Sequence, residues 1–206
     1  MKRNVFAVLS MVFAVTIALA SAAKAEDDFK HYGVRVRGIL VFPTESFDNR
    51  LVGPGKPNPT VSSNYIPELD LEYFFTKNIS AELIAGVTRH TIKLYGDLAG
   101  STYLLPPSIT VKYHPIPSAT FSPYIGGGIE ITFPFSYKLN GVNDFKLYNS
   151  VGWAAQAGLD VKFKENIYFN FDYKYLNIDT EARINGVKYK VDLNPHLFGF
   201  GVGYRF

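Results

Sequence analysis

From Phe198 to Phe206 the chain reads FGFGVGYRF, with a large apolar or aromatic side chain at every second position and a glycine or arginine between. A period of two is that of a β-strand, whose successive side chains point to opposite faces. One face of this strand is therefore greasy and broad, the other small. A soluble sheet buries such a greasy face under a second layer, whereas a membrane barrel turns it to lipid and leaves the small face on a narrow interior.

The N-terminus narrows the choice. Lys2 and Arg3 precede an apolar run from Val5 to Ala20, and small residues at Ala23 and Ala25 are followed by Glu26 and Asp27. This is the pattern of a secretory signal peptide, residues 1–25, expected to be cleaved after Ala25 and to leave 26–206 as the folded domain. No other stretch approaches the length of about 18 apolar residues that a membrane helix needs. Of the 21 Lys and Arg, three (Lys2, Arg3, Lys24) leave with the signal, so the 18 that stay equal the 18 Asp and Glu. A neutral mature chain removes the electrostatic case for nucleic-acid binding. The absence of cysteine in an exported chain rules out disulfides and any cysteine-ligated zinc site. With 14 Tyr and 17 Phe, the composition suits strands that meet a lipid boundary.

Strand alternation recurs eight times, over Tyr32 to Phe42, Tyr65 to Phe75, Ile79 to Ile92, Pro107 to His114, Phe121 to Phe135, Ser150 to Phe163, Ile167 to Ile178 and Val187 to Phe206. Tight connections at Thr76-Lys77-Asn78, PIPSAT and Lys164-Glu165-Asn166 alternate with long ones, the last folding back at Asn185-Gly186, a hairpin-turn pair. Strict alternation places every second connection on one side of a membrane. The expected fold is all-β: an eight-stranded antiparallel transmembrane β-barrel with short periplasmic turns and long outer loops.

Parity and strand direction then give each side chain a face and a height. Arg35, Arg37, Glu68, Asp70, Glu72, Glu82, Lys112, Asp160, Lys162, Asp172, Lys174 and Arg205 all fall inward in the periplasmic half. A narrow lumen filled with charges of both signs is expected to pair them into a floor, because unpaired buried charges are costly. Above it, Ile39, Val41, Ile66, Ile84, Leu104, Leu176, Ile178, Leu193 and Leu197 point inward in the outer half. These predict an apolar vestibule. Pro107, Pro134 and Pro195 each remove a ladder donor from the wall, which makes sideways exit attractive.

Other motifs carry less. Gly126-Gly127-Gly128 and the alternating Gly199, Gly201 and Gly203 open no helix, so they are read as room for long lumen side chains rather than as phosphate loops. None of His31, His90, His114 and His196 stands at a metal-ligand spacing, and they are read as surface or boundary residues. A lipid deacylase would want His and Ser two apart on a lipid-facing strand, but Phe198 and Ile92 stand two beyond His196 and His90.

Several stretches together resemble the OmpW family of small outer-membrane barrels: LPPSITVKYHPIPSATFSPYIGGGIEIT (Leu105 to Thr132), TKNISAELIAG (Thr76 to Gly86), VGWAAQAGLDVKF (Val151 to Phe163), YLNIDTEA (Tyr175 to Ala182) and the closing GVGYRF. Relatives tend to carry Trp where this chain has His196, and some are apolar where it has Lys174. The resemblance implies a Gram-negative outer-membrane location and passage of small hydrophobic molecules, without enzymatic activity or cofactor. It also implies that Tyr204 and Phe206 belong to a C-terminal signal read by the outer-membrane assembly machinery. The expectation is a monomer, in contact with outer-membrane lipid, that lets small hydrophobic molecules pass passively. The alternative is a non-conducting structural or receptor barrel that binds partners through its long loops.

Overall fold

The structure, a computed structural model, describes residues 29–48, 59–94 and 97–206. The expected signal peptide and its cleavage point lie outside these, as does the middle of the first long loop. The strands run β1 (Tyr32–Phe42), β2 (Ser46–Phe47), β3 (Thr60–Val61), β4 (Asn64–Phe74), β5 (Ile79–Gly86), β6 (Thr88–Leu94), β7 (Asp97–Leu105) and β8 (Ser108–Tyr113). They continue with β9 (Phe121–Leu139), β10 (Phe145–Leu147), β11 (Ser150–Lys162), β12 (Ile167–Leu176), β13 (Asp179–Ile184), β14 (Val187–Asp192) and β15 (His196–Arg205). Stacked end to end they make eight staves. In the lower wall these are β1, β4, β5, β8, β9, β11, β12 and β15, each paired antiparallel with the next. The ring closes through β1 and β15, from Gly33 opposite Arg205 to Phe42 opposite His196. Phe206 finishes the seam, exchanging backbone hydrogen bonds with Tyr32 at 3.0 and 2.8 Å.

Burial is inverted relative to a soluble protein. Val36 is 60% exposed, while Arg35 and Arg37 on either side of it are each 1% exposed. The same parity leaves Phe198, Phe200, Val202 and Tyr204 outside on β15, and Ile125, Ile129 and Trp153 outside on β9 and β11. A sandwich would have buried these; a barrel wall in lipid does not.

Three expected long loops are corrected by the structure. The segment read as a loop before Pro107 is mostly β7, paired along β6, and β9 runs on to Leu139 for 19 residues, against the roughly 9–11 that cross a bilayer. β13 and β14 form a hairpin turning at Asn185 and Gly186, both with positive φ, as the Asn-Gly pair predicts. The wall therefore rises well above the lipid. β6 marks that level by turning Arg89 and Lys93 to the outside, both exposed.

The inward glycines of β15 do make room. A Cβ on Gly201 would lie 2.7 Å from Cγ of Arg37, and one on Gly203 would collide with the ring of Tyr168. The small face seen in the sequence is the complement of two large lumen side chains.

Candidate functional site: a charged floor beneath apolar chambers

The register that closes the barrel also assembles the floor. Arg35 stands opposite Asp70 and Arg37 opposite Glu68, because β1 and β4 pair in that register. Arg35 meets Asp70 at 2.7 Å through Nε and Glu72 at 2.8 Å through Nη1, and also pairs with Glu82. Arg37 Nη2 lies 2.8 Å from Glu68 and 3.0 Å from Asp70, while its Nη1 lies 3.5 Å from Asp172. Lys112 reaches Glu72 at 3.0 Å, and Lys174 reaches Glu68 at 3.1 Å from across the barrel. Neutral donors complete the layer: Gln156 donates to Glu82 at 2.7 Å, Tyr124 to Asp172 at 2.6 Å, and Asn170 to Asp160 at 2.8 Å. Each charge is thus met by opposite charge or by a fixed dipole, the condition under which ions tolerate burial.

Ten of the twelve residues expected in the floor are brought together. Lys162 and Arg205 are not, and that expectation is corrected. Lys162 is exposed at the periplasmic end, and Arg205 Cζ sits over the Phe74 ring, 3.8 Å from its centroid. Strand parity set their direction correctly, but both stand one step below the ion-pair layer. Two histidines are also corrected. His114 is wholly buried beside Glu72 at 3.3 Å, and His90 is buried with Nε2 3.0 Å from Thr88 Oγ1 and Nδ1 2.8 Å from the Ser62 carbonyl. Tyr124, Gln156 and Asn170 had no signal as floor members beyond their inward parity.

Above the floor Ile39, Val41, Ile66, Leu176, Ile178 and Leu197 form one buried apolar cluster with Ala154, and Leu193 packs against it. Two voids open over this cluster. The inner, about 30 Å³, is lined by residues that include Val41, Ile66, Leu104, Pro106, Leu176 and Leu197. The outer, about 70 Å³, sits among Phe47, Ile92, Leu139, Phe145, Ile184 and Val191, in the part of the wall that stands clear of lipid. His90, Leu104, Val61 and Leu193 border both. Ile39 and Ile84 are buried but line neither void.

The wall beside the inner void is interrupted. Between β5 and β8 the last pair is Ile84 with Ser108, and between β6 and β7 the first is Thr88 with Leu104. Three residues on each side, Ala85–Val87 and Leu105–Pro107, carry no ladder pair with each other, although Ala85, Gly86 and Leu105 stay paired to the staves on their far sides. Pro106 and Pro107 have no N–H to offer there. On the neighbouring seam, pairing of β4 with β5 stops at Glu68 opposite Gly86, just below Pro67. The other two prolines singled out in the sequence leave the wall intact. Pro134 stays in register opposite Leu104, and the Pro195 carbonyl accepts from Leu176 N at 3.2 Å.

The family model for OmpW matches residues 32–206, which is the whole barrel. The chain belongs to the OmpW family. It is 35% identical to outer membrane protein W of Vibrio cholerae, with 94% of this chain and 96% of that one aligned. The crystal structure of OprG from Pseudomonas aeruginosa superposes with a TM-score of 0.79 at 27% identity, covering 86% of this chain and 96% of that one. The solution structure of outer membrane protein W from Escherichia coli gives 0.61 at 28% identity, covering 86% and 98%. This OmpW-family chain is accordingly an outer-membrane barrel, and its exposed apolar band is the surface that meets lipid.

Proposed function

We propose that this barrel lets small apolar molecules enter from outside through the two stacked chambers and leave sideways into the membrane, passively and without chemistry at any residue. The observation that carries this reading is that the inner chamber is bounded by Thr88 and Leu104, the upper edge of the stretch where the two staves do not pair with each other, by Pro106 within that stretch and by Ile66 on the neighbouring stave. A solute descending along apolar side chains meets the ion-paired floor next. Crossing it would require separating buried ions, at a cost of several kcal/mol each. The unpaired stretch lies beside the solute and offers the lower barrier.

Transport into liposomes tests the reading, with an apolar probe compared against a sugar and an ion. The wild-type barrel is expected to pass only the apolar probe. Leu197→Asp places a carboxylate in the inner chamber, where desolvating it would cost several kcal/mol, and should cut probe flux at least tenfold while the protein still migrates as a heat-modifiable barrel. Full flux through a folded Leu197→Asp barrel would reject the chambers as the route and favour a receptor role for the outer wall.

A further inference from the structure

Below the floor, at the periplasmic mouth, a third void of about 110 Å³ is lined by Pro117, Ser118, Ser122, Asp160, Lys162, Lys164, Glu165, Asn166, Tyr168 and Arg205, among others. That is several times the ~30 Å³ share of one water molecule. Three cations border it, and they are not the cations of the floor. Lys162 and Lys164 stand on its exposed rim. Arg205 has no carboxylate within ion-pair distance among the described residues, and its Nε is buried without a hydrogen-bond partner. Phe74, 3.8 Å below the guanidinium, and Tyr168, 5.7 Å away, hold that group in place by cation–π contact. Tyr168 is 6% exposed, and its hydroxyl is likewise buried with no partner.

The two acids in the lining do not neutralise these groups. Asp160 accepts from Asn170 through Oδ1 at 2.8 Å and lies 3.9 Å from Arg35, while its Oδ2 is buried without a hydrogen-bond partner. Glu165 sits exposed in the turn between β11 and β12. What remains is a cavity with two exposed ammonium groups on its rim, the Arg205 guanidinium with its Nε buried and unpartnered, and the buried, unpartnered Tyr168 hydroxyl. Buried donors of this kind are normally satisfied.

We propose that this cavity is an oxyanion site that takes one carboxylate or phosphate group from the periplasmic side. Arg205, Lys162 and Lys164 supply the charge, and the Tyr168 hydroxyl donates a hydrogen bond. The planar fork of Arg205 suits either group. The site stands apart from the apolar route above, so its fate is independent of that reading.

The test is a titration of the folded chain in detergent micelles with inorganic phosphate and, separately, acetate at constant ionic strength. Backbone amide shifts of Ser122, Asn166 and Arg205 are followed, with Ile184 as a distant control. The expected result is saturable shifts confined to the first three. Arg205→Gln and Lys164→Gln should each weaken binding about tenfold or more, the loss expected of one charge-assisted hydrogen bond. Lys164 lies in an exposed turn, so its variant tests the site even if Arg205→Gln assembles poorly. A second series replaces Glu26, Asp27 and Asp28 by neutral residues, because Lys30, close behind them in sequence, donates to Asn166 in the cavity wall. Binding seen only in that series would support the oxyanion site and identify the chain's own acids as its ordinary occupant. Shifts that fail to saturate in both series, or that survive both single variants unchanged, would overturn the proposal.

Discussion

His90 hangs from the wall where the inner and outer chambers meet, above the lipid, with both ring nitrogens in use. The Nδ1 contact to a carbonyl requires that nitrogen to donate, which leaves Nε2 to accept from the Thr88 hydroxyl in the neutral ring. Burial holds its pKa below the ordinary histidine value, partly offset by the Ser62 carbonyl and by Glu45. A lowered value means that the unfolded chain takes up the proton first. Its contribution to stability is therefore present above the ordinary pKa near ~6.5 and is lost as pH falls through that region. Amide exchange in β3 and β6 should accelerate between neutral pH and about pH 5, and His90→Gln should flatten that dependence. An unchanged acid response in the variant would assign it elsewhere. Reading this residue from sequence failed for an identifiable reason. Its parity is inward, but a strand expected to end where it leaves the lipid makes a buried histidine look like a boundary one. Arg35 and Arg37, by contrast, were legible because strand parity and the neighbouring stave's acids both pointed to the same pairing.

Among the elements, β15 carries the most of the fold in the fewest residues. It pairs with β12 on one side and β1 on the other, and its inward glycines admit Arg37 and the ring of Tyr168. Phe206 adds two backbone bonds to Tyr32 and stacks on its ring at 5.9 Å. Deleting Phe206 should therefore lower the amount of folded barrel in the outer membrane several-fold, both by loosening the seam and by removing the expected assembly signal. Replacing Lys146, in an outer strand, should not. Normal levels of the shortened chain, measured by heat-modifiable migration, would count against this. The lower staves were legible because their alternation is uninterrupted. β7, β10 and β13 were not, since Asp and Gly within β7 and the Asn, Gly and Asp residues flanking β10 and β13 read as turn chemistry, and only pairing with a neighbour above the lipid makes them strands.

Taken whole, the molecule is two stacked environments enclosed by one wall. The ionic one is exacting. Arg37→Glu would set a carboxylate against Glu68, Asp70 and Asp172, and disrupting one partner of such a buried network costs about 3–5 kcal/mol. The unfolding midpoint in denaturant should fall accordingly, and planar-bilayer recordings should show ion conductance that the wild type lacks. If both measurements matched wild type, the floor would not be a plug. The apolar environment is permissive by comparison, since volume-conserving exchanges among its side chains cost little.

The ion pairs also join distant parts of the chain. Lys174 and Glu68 lie 106 residues apart, and Arg37 and Asn170 lie 133 apart. Neither contact can exist until the seventh stave faces the first and second across a closed seam. In time, then, this cross-seam part of the floor comes last: it contributes nothing to the search for closure, whose entropic cost is met by the ladders, and acts only on the way back out. It is a latch, set by completion, that holds the barrel shut by slowing its opening.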